Sequence, residues 1–407
     1  MRLSKTFIKT LREAPKDEIA KNGALLSRAG YIHKELAGVY DYLPLGLLVL
    51  EKIKTVIREE LNAIGCEEVS MSALQNPELW EATGRFSDQE VDIWFKTELS
   101  SGGLLGLAPT HEEPMVNMMK TYIHSYKDLP AYAYQFQTKF RNEKRAKSGI
   151  MRGREFLMKD LYSFHTSEED LDEFYAKVEK AYAKIFERLG LGDSTYETFA
   201  SGGIFSKFSH EYQTILPVGE DVIYYNKDKS LVFNKEVFNK EVLDEFGAHE
   251  SEFEPTKAAE VGNIFKLKHK YSEPLGLKYT DESNTAKTVY MGCYGIGVSR
   301  VMGVIAEKFA DEKGLVWPEA VAPFKYYLVG IGEKGSLKAS EIYAGRESEI
   351  LFDDRDLRPG EKFADSELMG IPYRIVISDK TLESNSAEVV ERKTGEKKLV
   401  DIKKLFV

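Results

Sequence analysis

A stretch of strict two-residue alternation between residues 132 and 140 limits what this chain can fold into more than any other feature. Its even positions are Tyr, Tyr, Phe, Thr and Phe, whereas its odd positions are mainly polar. A two-residue period puts alternate side chains on opposite faces of a strand, so one face is predicted to be buried and the other polar. After a polar loop, a second extended segment is predicted to carry four side chains on one face: Arg152, Arg154, Phe156 and Met158. We predict that the two segments pair as antiparallel strands.

The strand pair is also the most basic part of an acidic chain. The 407 residues include 56 Lys and Arg against 66 Asp and Glu, and this net charge of −10 argues against a broad basic surface for nucleic acid. Residues 139–159 nevertheless carry eight basic and two acidic side chains. Arginine suits a phosphate because its planar fork is permanently charged and donates two parallel hydrogen bonds. A nucleotide could place its phosphates on Arg152 and its base on Phe156, about 13 Å further along the strand. A solvated charged hairpin is the alternative.

Segments with helical periodicity precede and follow the strand pair in the sequence. Apolar residues recur over residues 47–64 until Gly65, and a second helix is predicted from the capping sequence at 166–169 to Gly190. Beyond residue 325, apolar runs alternate with predicted helices, which is typical of an α/β unit with mostly parallel strands. The proline-containing stretch 314–324 marks the best boundary. We predict an α+β chain with a first domain over residues 1–320 and a second over residues 325–407.

Several classes of protein are excluded. The two cysteines, Cys66 and Cys293, give no disulfide framework and no Cys-x-x-Cys pair, and His111-Glu112-Glu113 lacks the second histidine of a zinc helix, so we expect no zinc. The longest apolar stretch, residues 42–50, is too short for a membrane helix. The N-terminus has no apolar secretion signal. We expect a cytoplasmic protein without a membrane segment.

Two segments resemble signature motifs of class II aminoacyl-tRNA synthetases. Phe140-Arg141-Asn142-Glu143, a loop and Arg152-x-x-x-Phe156 resemble motif 2, and residues 291–300, ending in Gly-Val-Ser-Arg, resemble motif 3. Motif 3 contains Gly-x-Gly, but Arg300 stands where a dinucleotide-binding loop has its third glycine. The class II resemblance implies an antiparallel-sheet catalytic domain followed by a C-terminal α/β anticodon-binding domain.

A closer resemblance is to the bacterial prolyl-tRNA synthetase family, and it runs almost end to end. The segments that carry it are Pro109-Thr110-His111-Glu112-Glu113, residues 152–160, Ser209-His210-Glu211, residues 261–265, motif 3, and the C-terminal segments 353–355, 362–365 and 370–372. This family joins proline to ATP as prolyl-adenylate and then transfers the prolyl group to the 3′ end of tRNA(Pro). Such chemistry depends on positioning groups and neutralising charge rather than on a catalytic triad.

The resemblance implies roles for individual residues in ATP binding. Arg141 bridges the amino-acid carboxylate and the α-phosphate, Glu143 and Arg152 hold ATP, and Phe156 and Arg300 sandwich the adenine. Arg141, Glu143 and Arg300 are the predicted catalytic residues. Mg²⁺ is expected to bridge the phosphates, as hard cations do through few protein oxygens. Glu211 is a candidate for that metal, and Gln213 for the ATP site.

It also implies a proline pocket and a tRNA contact. Thr110 and Glu112 bind the imino group, since its two N–H donors need a hydroxyl and a carboxylate, while Arg141 takes the carboxylate. Met158, Tyr162 and His210 are candidates for the wall around the ring, although core packing alone would explain Met158 as well. The loop residues Lys144, Arg145 and Lys147 are expected to meet the tRNA acceptor end through phosphates, with a solvated loop as the alternative.

The chain departs from the family in two places. Only residues 157–290 separate motif 2 from motif 3, so we expect no editing domain there, although most bacterial relatives have a large one. Ser72 replaces the characteristic proline of motif 1, the segment that forms the dimer interface in the family. A homodimer is expected, with altered packing around residue 72.

Two other functions compete with this interpretation of the sequence. A threonyl enzyme would need a zinc-binding set of Cys and His in its pocket, which the sequence lacks. A catalytically inactive synthetase-like RNA-binding protein would be permitted by Ser72 and by the altered loop, with Ala146 and Ser148. Retention of Arg141, Glu143, Arg152, Phe156 and Arg300 argues against it.

Overall fold

The computed structural model describes residues 1–144, 146–202 and 208–406. Its helices are α1 (Lys21–Arg28), α2 (Pro44–Ala63), α3 (Pro77–Ala82), α4 (Glu112–Met119), α5 (Glu168–Arg188), α6 (Lys240–Glu245), α7 (Val298–Phe309), α8 (Gly332–Tyr343), α9 (Pro359–Met369) and α10 (Asp379–Leu382). Its strands are β1 (Ile32–Leu36), β2 (Val39–Tyr42), β3 (Glu67–Glu68), β4 (Leu74–Gln75), β5 (Phe95–Glu98), β6 (Leu104–Leu107), β7 (Ala131–Phe140), β8 (Glu155–His165), β9 (Thr195–Ser201), β10 (Phe208–Ile215), β11 (Asp221–Asn226), β12 (Val232–Asn234), β13 (Phe253–Lys268), β14 (Lys278–Thr280), β15 (Ala286–Thr288), β16 (Tyr290–Gly297), β17 (Tyr326–Ile331), β18 (Ile350–Asp353), β19 (Tyr373–Ser378), β20 (Ser386–Glu391) and β21 (Lys397–Asp401).

A nine-stranded sheet carries the first part of the chain. Its strand order is β10-β9-β12-β11-β13-β16-β8-β7-β3, and its pairs are antiparallel except β3 with β7 and β9 with β12. Strand β13 also pairs with β10, so strands β9 to β13 close on one another at one end of the sheet. The predicted antiparallel-sheet fold is confirmed.

The predicted strand pair is β7 and β8. They run antiparallel, with Lys139 opposite Phe156 and Gln137 opposite Met158. The second strand begins later than predicted, because residues 149–151 form a short 3₁₀ turn and β8 starts only at Glu155. Arg154 therefore precedes the strand, and its backbone N–H donates to the carbonyl of Gly38 at 2.7 Å.

Both predicted flanking helices are present. Helix α2 ends just before Gly65, whose φ of 88° lies in the left-handed region that favours glycine. Helix α5 is capped by Ser167, whose side chain accepts from the N–H of Asp170 at 3.2 Å. Together with α7 they bury apolar faces on the sheet, where Ile53, Tyr182 and Val301 are completely buried.

The strand expected over residues 67–71 is shorter than the sequence suggests. Strand β3 covers only two residues and lies parallel to β7. Beyond it, two side chains of β7 bind the backbone of Met71: Gln135 Oε1 accepts from its N–H at 3.1 Å, and the amide of Gln137 donates to its carbonyl. Because side-chain amides occupy these backbone groups, the regular ladder stops.

The C-terminal part has its own five-stranded sheet, in the order β18-β17-β19-β20-β21. The first three strands are parallel, as predicted. Strands β20 and β21 add an antiparallel hairpin that was not predicted. Trp317 connects the two parts of the chain, because its indole N–H donates to the hydroxyl of Tyr31 at 3.0 Å and lies 3.1 Å from the carbonyl of Met369. Across the described residues, no helix combines the length and the apolar composition that crossing a bilayer requires.

Candidate active site

The loop end of the β7–β8 pair opens into a cavity that we call the arginine cavity. Its wall includes Arg141, Glu143, Arg152, Phe156 and Arg300. Strand β7 ends one residue before Arg141, β8 supplies Phe156, and the first turn of α7 supplies Arg300. The residues of motifs 2 and 3 therefore meet in one place, although up to 159 positions separate them in the sequence.

The three arginines of this cavity are held by fixed partners. Arg152 donates to Glu143 at 3.0 Å and to Glu220 at 2.7 Å. Arg300 donates to the carbonyls of Met151 and Glu260, each at 2.8 Å. Such contacts lower the entropy that a flexible side chain would lose on binding an anion.

Arg141 is half-buried between an aromatic ring and a backbone carbonyl. Its guanidinium carbon lies 5.2 Å from the centre of the Phe156 ring, and its Nε donates to the carbonyl of Pro109 at 3.3 Å. Burial, followed by the charge of Arg300, lowers the pKa of Arg141, which stays protonated because a guanidinium starts from such a high value. The result is a desolvated positive charge that an anion can neutralise.

A second cavity, which we call the threonine cavity, adjoins the first. Its wall includes Thr110, Glu112, Asp160, Tyr162 and Cys293. Thr110 Oγ1 donates to Glu112 Oε2 at 2.7 Å, so hydroxyl and carboxylate face the same space. The Tyr162 hydroxyl accepts from the backbone N–H of His111 at 3.1 Å. The Thr110 hydroxyl and the Glu112 carboxylate together suit a protonated amine with two N–H donors.

Both cavities share three lining residues, Arg141, Met158 and Asn263. Arg141 is the only one of the three with a formal charge, and it stands where the two spaces meet. An anion in either cavity can therefore reach the same guanidinium. Such an arrangement suits a reaction between a carboxylate bound on one side and a phosphate bound on the other.

Sequence reasoning missed Arg85 in the threonine cavity. Its Nη1 lies 2.9 Å from Glu113 and 3.5 Å from Glu112, and its guanidinium stacks over the rings of Trp80 and Tyr271. Burial raises the pKa of the Glu113 carboxyl to about 7, although Arg85 opposes this shift. Arg85 lies outside the family segments recognised in the sequence, so no local pattern marked it.

A group of carboxylates lies beside the arginine cavity. The amide of Gln213 donates to both Glu211 and Asp221, at 2.9 Å each, while Asp221 and Glu260 line a side pocket together with Arg300. Burial and the neighbouring Glu260 raise the pKa of Glu211 to about 7. Among the described residues, the buried Oε1 of Gln213 has no hydrogen-bond partner. Carboxylate oxygens are ligands that Mg²⁺ prefers, so Glu211 and Asp221 are the chemically suited side chains beside the arginine cavity.

His210, a candidate for the wall around the proline ring, lies outside both cavities. Its ring packs against Tyr175 and Phe199, and Nδ1 is 3.0 Å from the Tyr175 hydroxyl. Burial lowers the pKa of His210 to about 4. The alternation of β10 explains the difference, because His210 and its neighbour Glu211 face opposite sides of the sheet.

The predicted tRNA loop is exposed where it is described. Lys144 pairs with Asp92 at 3.1 Å, and Lys147 lies 3.7 Å from Glu220. Arg145 lies outside the described residues. Exposed pairs of this kind contribute little to stability, so both lysines can exchange their partners for phosphates at small cost.

Comparisons with known proteins agree with this geometry. A family model described as the tRNA synthetase class II core domain (G, H, P, S and T) matches residues 95–309, and an anticodon binding domain model matches residues 334–406. In fold, the chain is similar to a Cryptosporidium parvum prolyl-tRNA synthetase complexed with halofuginone and AMPPNP, with a TM-score of 0.77 at 19% identity over 94% of this chain and 74% of that one. A Giardia lamblia prolyl-tRNA synthetase in complex with prolyl-adenylate gives a TM-score of 0.75 at 18% identity over 93% and 74% of the two chains.

Relatives found by sequence share a higher identity with this chain than these two structures do. A proline–tRNA ligase of Ehrlichia chaffeensis is 38% identical over 416 residues, which cover 98% of this chain and 97% of the relative. One from Geobacillus kaustophilus is 35% identical and covers 97% of both chains, but its alignment extends over 551 residues, so a long stretch of that relative has no counterpart here. On the strength of the core-domain match and of these nearly full-length identities, the chain belongs to the proline–tRNA ligase family of class II aminoacyl-tRNA synthetases.

Proposed function

We propose that this chain activates proline with ATP to prolyl-adenylate, releasing pyrophosphate, and transfers the prolyl group to tRNA(Pro). The observation that carries the proposal is the position of Arg141 between the two cavities. We assign residues 1–320 to the catalytic domain and residues 325–407 to the anticodon-binding domain. We further propose that the protein acts in the cytoplasm as a homodimer.

The arginine cavity is proposed to hold ATP. Phe156 and Arg300 take the adenine, Arg152 and Glu143 the triphosphate, and Arg141 the α-phosphate. The threonine cavity is proposed to hold proline, with its imino group on Thr110 and Glu112 and its carboxylate on Arg141. In this arrangement the carboxylate oxygen attacks the α-phosphorus while Arg141 neutralises charge on both reactants.

Glu211 and Asp221 are proposed to hold Mg²⁺, which would neutralise charge on the ATP phosphates. We expect Glu211→Gln to raise the Mg²⁺ concentration needed for half-maximal pyrophosphate exchange by about 10- to 100-fold, because a ligand carboxylate is lost. Glu179→Gln is the matched control, since burial also raises the pKa of Glu179 to about 7 although it lies beside His210 instead. Equal Mg²⁺ requirements in all three proteins would remove Glu211 from the metal site.

The chain has no segment corresponding to an editing domain between motifs 2 and 3, and this has a measurable consequence. Alanine lacks two of the ring carbons of proline, and an apolar pocket rejects each missing methylene by only about 1–3 kcal/mol, or roughly 10- to 200-fold. We therefore expect alanine-dependent pyrophosphate exchange about 10²- to 10⁴-fold below the proline rate. We also expect that the purified protein leaves alanyl-tRNA intact, with spontaneous hydrolysis as the baseline. Rapid enzymatic deacylation of alanyl-tRNA would contradict this expectation.

Lys144, Arg145 and Lys147 are proposed to meet the acceptor end of the tRNA. The overall proposal is tested by charging tRNA(Pro) with labelled proline in the presence of ATP and Mg²⁺. The proposed function requires that acid-precipitable label appears only when tRNA(Pro), ATP and Mg²⁺ are all present. A catalytically inactive RNA-binding protein would retain the tRNA on a filter and incorporate no label.

A further inference from the structure

A lysine and an aspartate form a buried ion pair beneath the threonine cavity. Lys139 of β7 and Asp160 of β8 are almost completely shielded from solvent, and Lys139 Nζ lies 2.9 Å from the Asp160 carboxylate. Burial lowers the pKa of Lys139, while Asp160 acts in the opposite direction. A buried charge is costly unless it is paired and hydrogen-bonded. The pair therefore needs an explanation beyond core packing, which apolar side chains would provide more cheaply.

The second partner of Lys139 is His111. Lys139 Nζ contacts Nδ1 of this ring, and the ring's Nε2 lies 3.0 Å from the carbonyl of Ser72. A carbonyl can only accept and an ammonium can only donate, so Nε2 carries the proton and Nδ1 accepts. Burial, followed by the charge of Lys139, lowers the pKa of His111 to about 4. The ring is consequently neutral, with one tautomer selected by its two neighbours.

The network continues on the other side of Asp160. Gln135 Nε2 donates to Asp160 Oδ2 at 3.0 Å, and Gln135 Oε1 accepts from the backbone N–H of Met71 at 3.1 Å. Residues 71–72 are thus bound by Gln135 and His111, in addition to the contact of Gln137 with the Met71 carbonyl. The groups of this network come from β7, β8 and two loops, and a connected network of this kind rigidifies its surroundings.

His111 stands between the two residues assigned to the imino group. Its neighbours Thr110 and Glu112 line the threonine cavity, and Pro109 accepts from Arg141 at 3.3 Å. Fixing the His111 ring therefore fixes the short segment 109–112, which supplies a hydroxyl, a carboxylate and a carbonyl to the site. Lys139 itself does not line either cavity.

We propose that Lys139 is a positioning residue for imino-acid binding, which acts through its contacts with His111 and Asp160 to orient Thr110 and Glu112. This inference rests on the proposed function, since it assumes that these two residues receive the imino group. The proposed ATP site is the arginine cavity, whose wall includes neither Thr110 nor Glu112, so ATP binding depends little on the orientation of these two residues. Replacement of Lys139 therefore weakens the binding of proline much more than the binding of ATP.

The first test replaces the ammonium with an apolar group of similar length. Lys139→Met raises the KM for proline in pyrophosphate exchange by about 10- to 100-fold and leaves the KM for ATP within about twofold of the wild type, because small displacements of binding groups have effects of this size. His111→Phe, which fills similar space but forms neither hydrogen bond, raises the proline KM similarly. The two changes in the proline KM are compared only for variants whose circular dichroism spectrum matches that of the wild type.

A matched control is available on the neighbouring strand, β8. Lys159 is also fully buried, but it donates to the hydroxyl of Tyr182 and, at 2.9 Å, to the carbonyl of Tyr294, away from segment 109–112. Lys159→Met leaves the ratio of the two KM values unchanged even if it lowers the melting temperature. If Lys159→Met raised the proline KM as much as Lys139→Met does, the effect of both variants would be general damage to the core, and the proposal would be overturned.

Lys139→Met leaves Asp160 as an unpaired buried charge, so the double variant Lys139→Met/Asp160→Asn separates stability from positioning. The double variant regains melting temperature but keeps the elevated proline KM, because His111 still lacks its donor. Recovery of the proline KM together with stability would mean that Lys139 only neutralises Asp160, and would refute the positioning role. A wild-type protein without any proline-dependent exchange would instead refute the proposed function.

Discussion

We expect Arg141→Ala to lower proline-dependent pyrophosphate exchange by about 10³-fold or more, with the fold intact. Among the described residues, Arg141 is the only charged side chain shared by the two cavities, and it contacts both the Phe156 ring and the Pro109 carbonyl. A preorganised arginine at a reacting phosphate contributes about 10³- to 10⁵-fold to the rate in other phosphoryl-transfer enzymes. Its removal leaves two anions facing each other without neutralisation.

Two further variants make this prediction specific. Arg141→Lys restores charge but not the bidentate fork, so we expect it to recover only a small part of the lost rate. Arg188→Ala removes an arginine that pairs with Glu59 and Glu60 on the surface, and it should behave as wild type. Activity of Arg141→Ala within tenfold of the wild type would be incompatible with the proposed bridging role.

The second large effect concerns Glu112. We expect Glu112→Gln to reduce kcat/KM for proline by about 100-fold while the KM for ATP changes little. The buried carboxylate accepts from Thr110 at 2.7 Å and lines the threonine cavity, and a hydrogen bond to a charged group is worth about 1.5–3 kcal/mol. A glutamine keeps the shape and one acceptor, but loses the charge that complements a protonated imino group.

The matched control for this variant is Glu98→Gln, on the exposed side of β5. It should leave both KM values unchanged. The initial exchange rate is measured against proline concentration at saturating ATP, and then against ATP concentration at saturating proline. If Glu112→Gln raised the ATP KM and the proline KM equally, Glu112 would contribute to general integrity of the site rather than to imino-group recognition.

Periodicity and short motifs predicted most of the architecture. The alternation before Phe140 identified β7, the apolar stripe before Gly65 identified α2, and the parallel strands after residue 325 were found from their apolar runs. These features are local, because a strand or an amphipathic helix shows its buried face in its own sequence. The β20–β21 hairpin was missed, since β21 is mostly exposed and β20 buries only two side chains, so neither strand shows a strong apolar pattern.

The buried polar network could not be predicted in the same way. Lys139 belongs by alternation to the polar face of β7, and nothing in the sequence distinguishes it from a solvated lysine. Its burial follows from Asp160 and His111, which reach it only through the register of β7 with β8 and the path of a distant loop. Arg85 was missed for the same reason. Motifs predicted which residues are chemically suited to the site, whereas tertiary pairing decides which other residues hold them.

Amino-acid-dependent exchange between pyrophosphate and ATP decides whether this chain activates proline. The purified protein is assayed with Mg²⁺ and each of the twenty amino acids separately, in the absence of tRNA, so that adenylate formation is isolated from transfer. We expect strong exchange with proline, weaker exchange with alanine and little with the other eighteen. Absence of exchange with every amino acid, in protein shown to be folded, would contradict the proposed activity and would favour a synthetase-like RNA-binding protein.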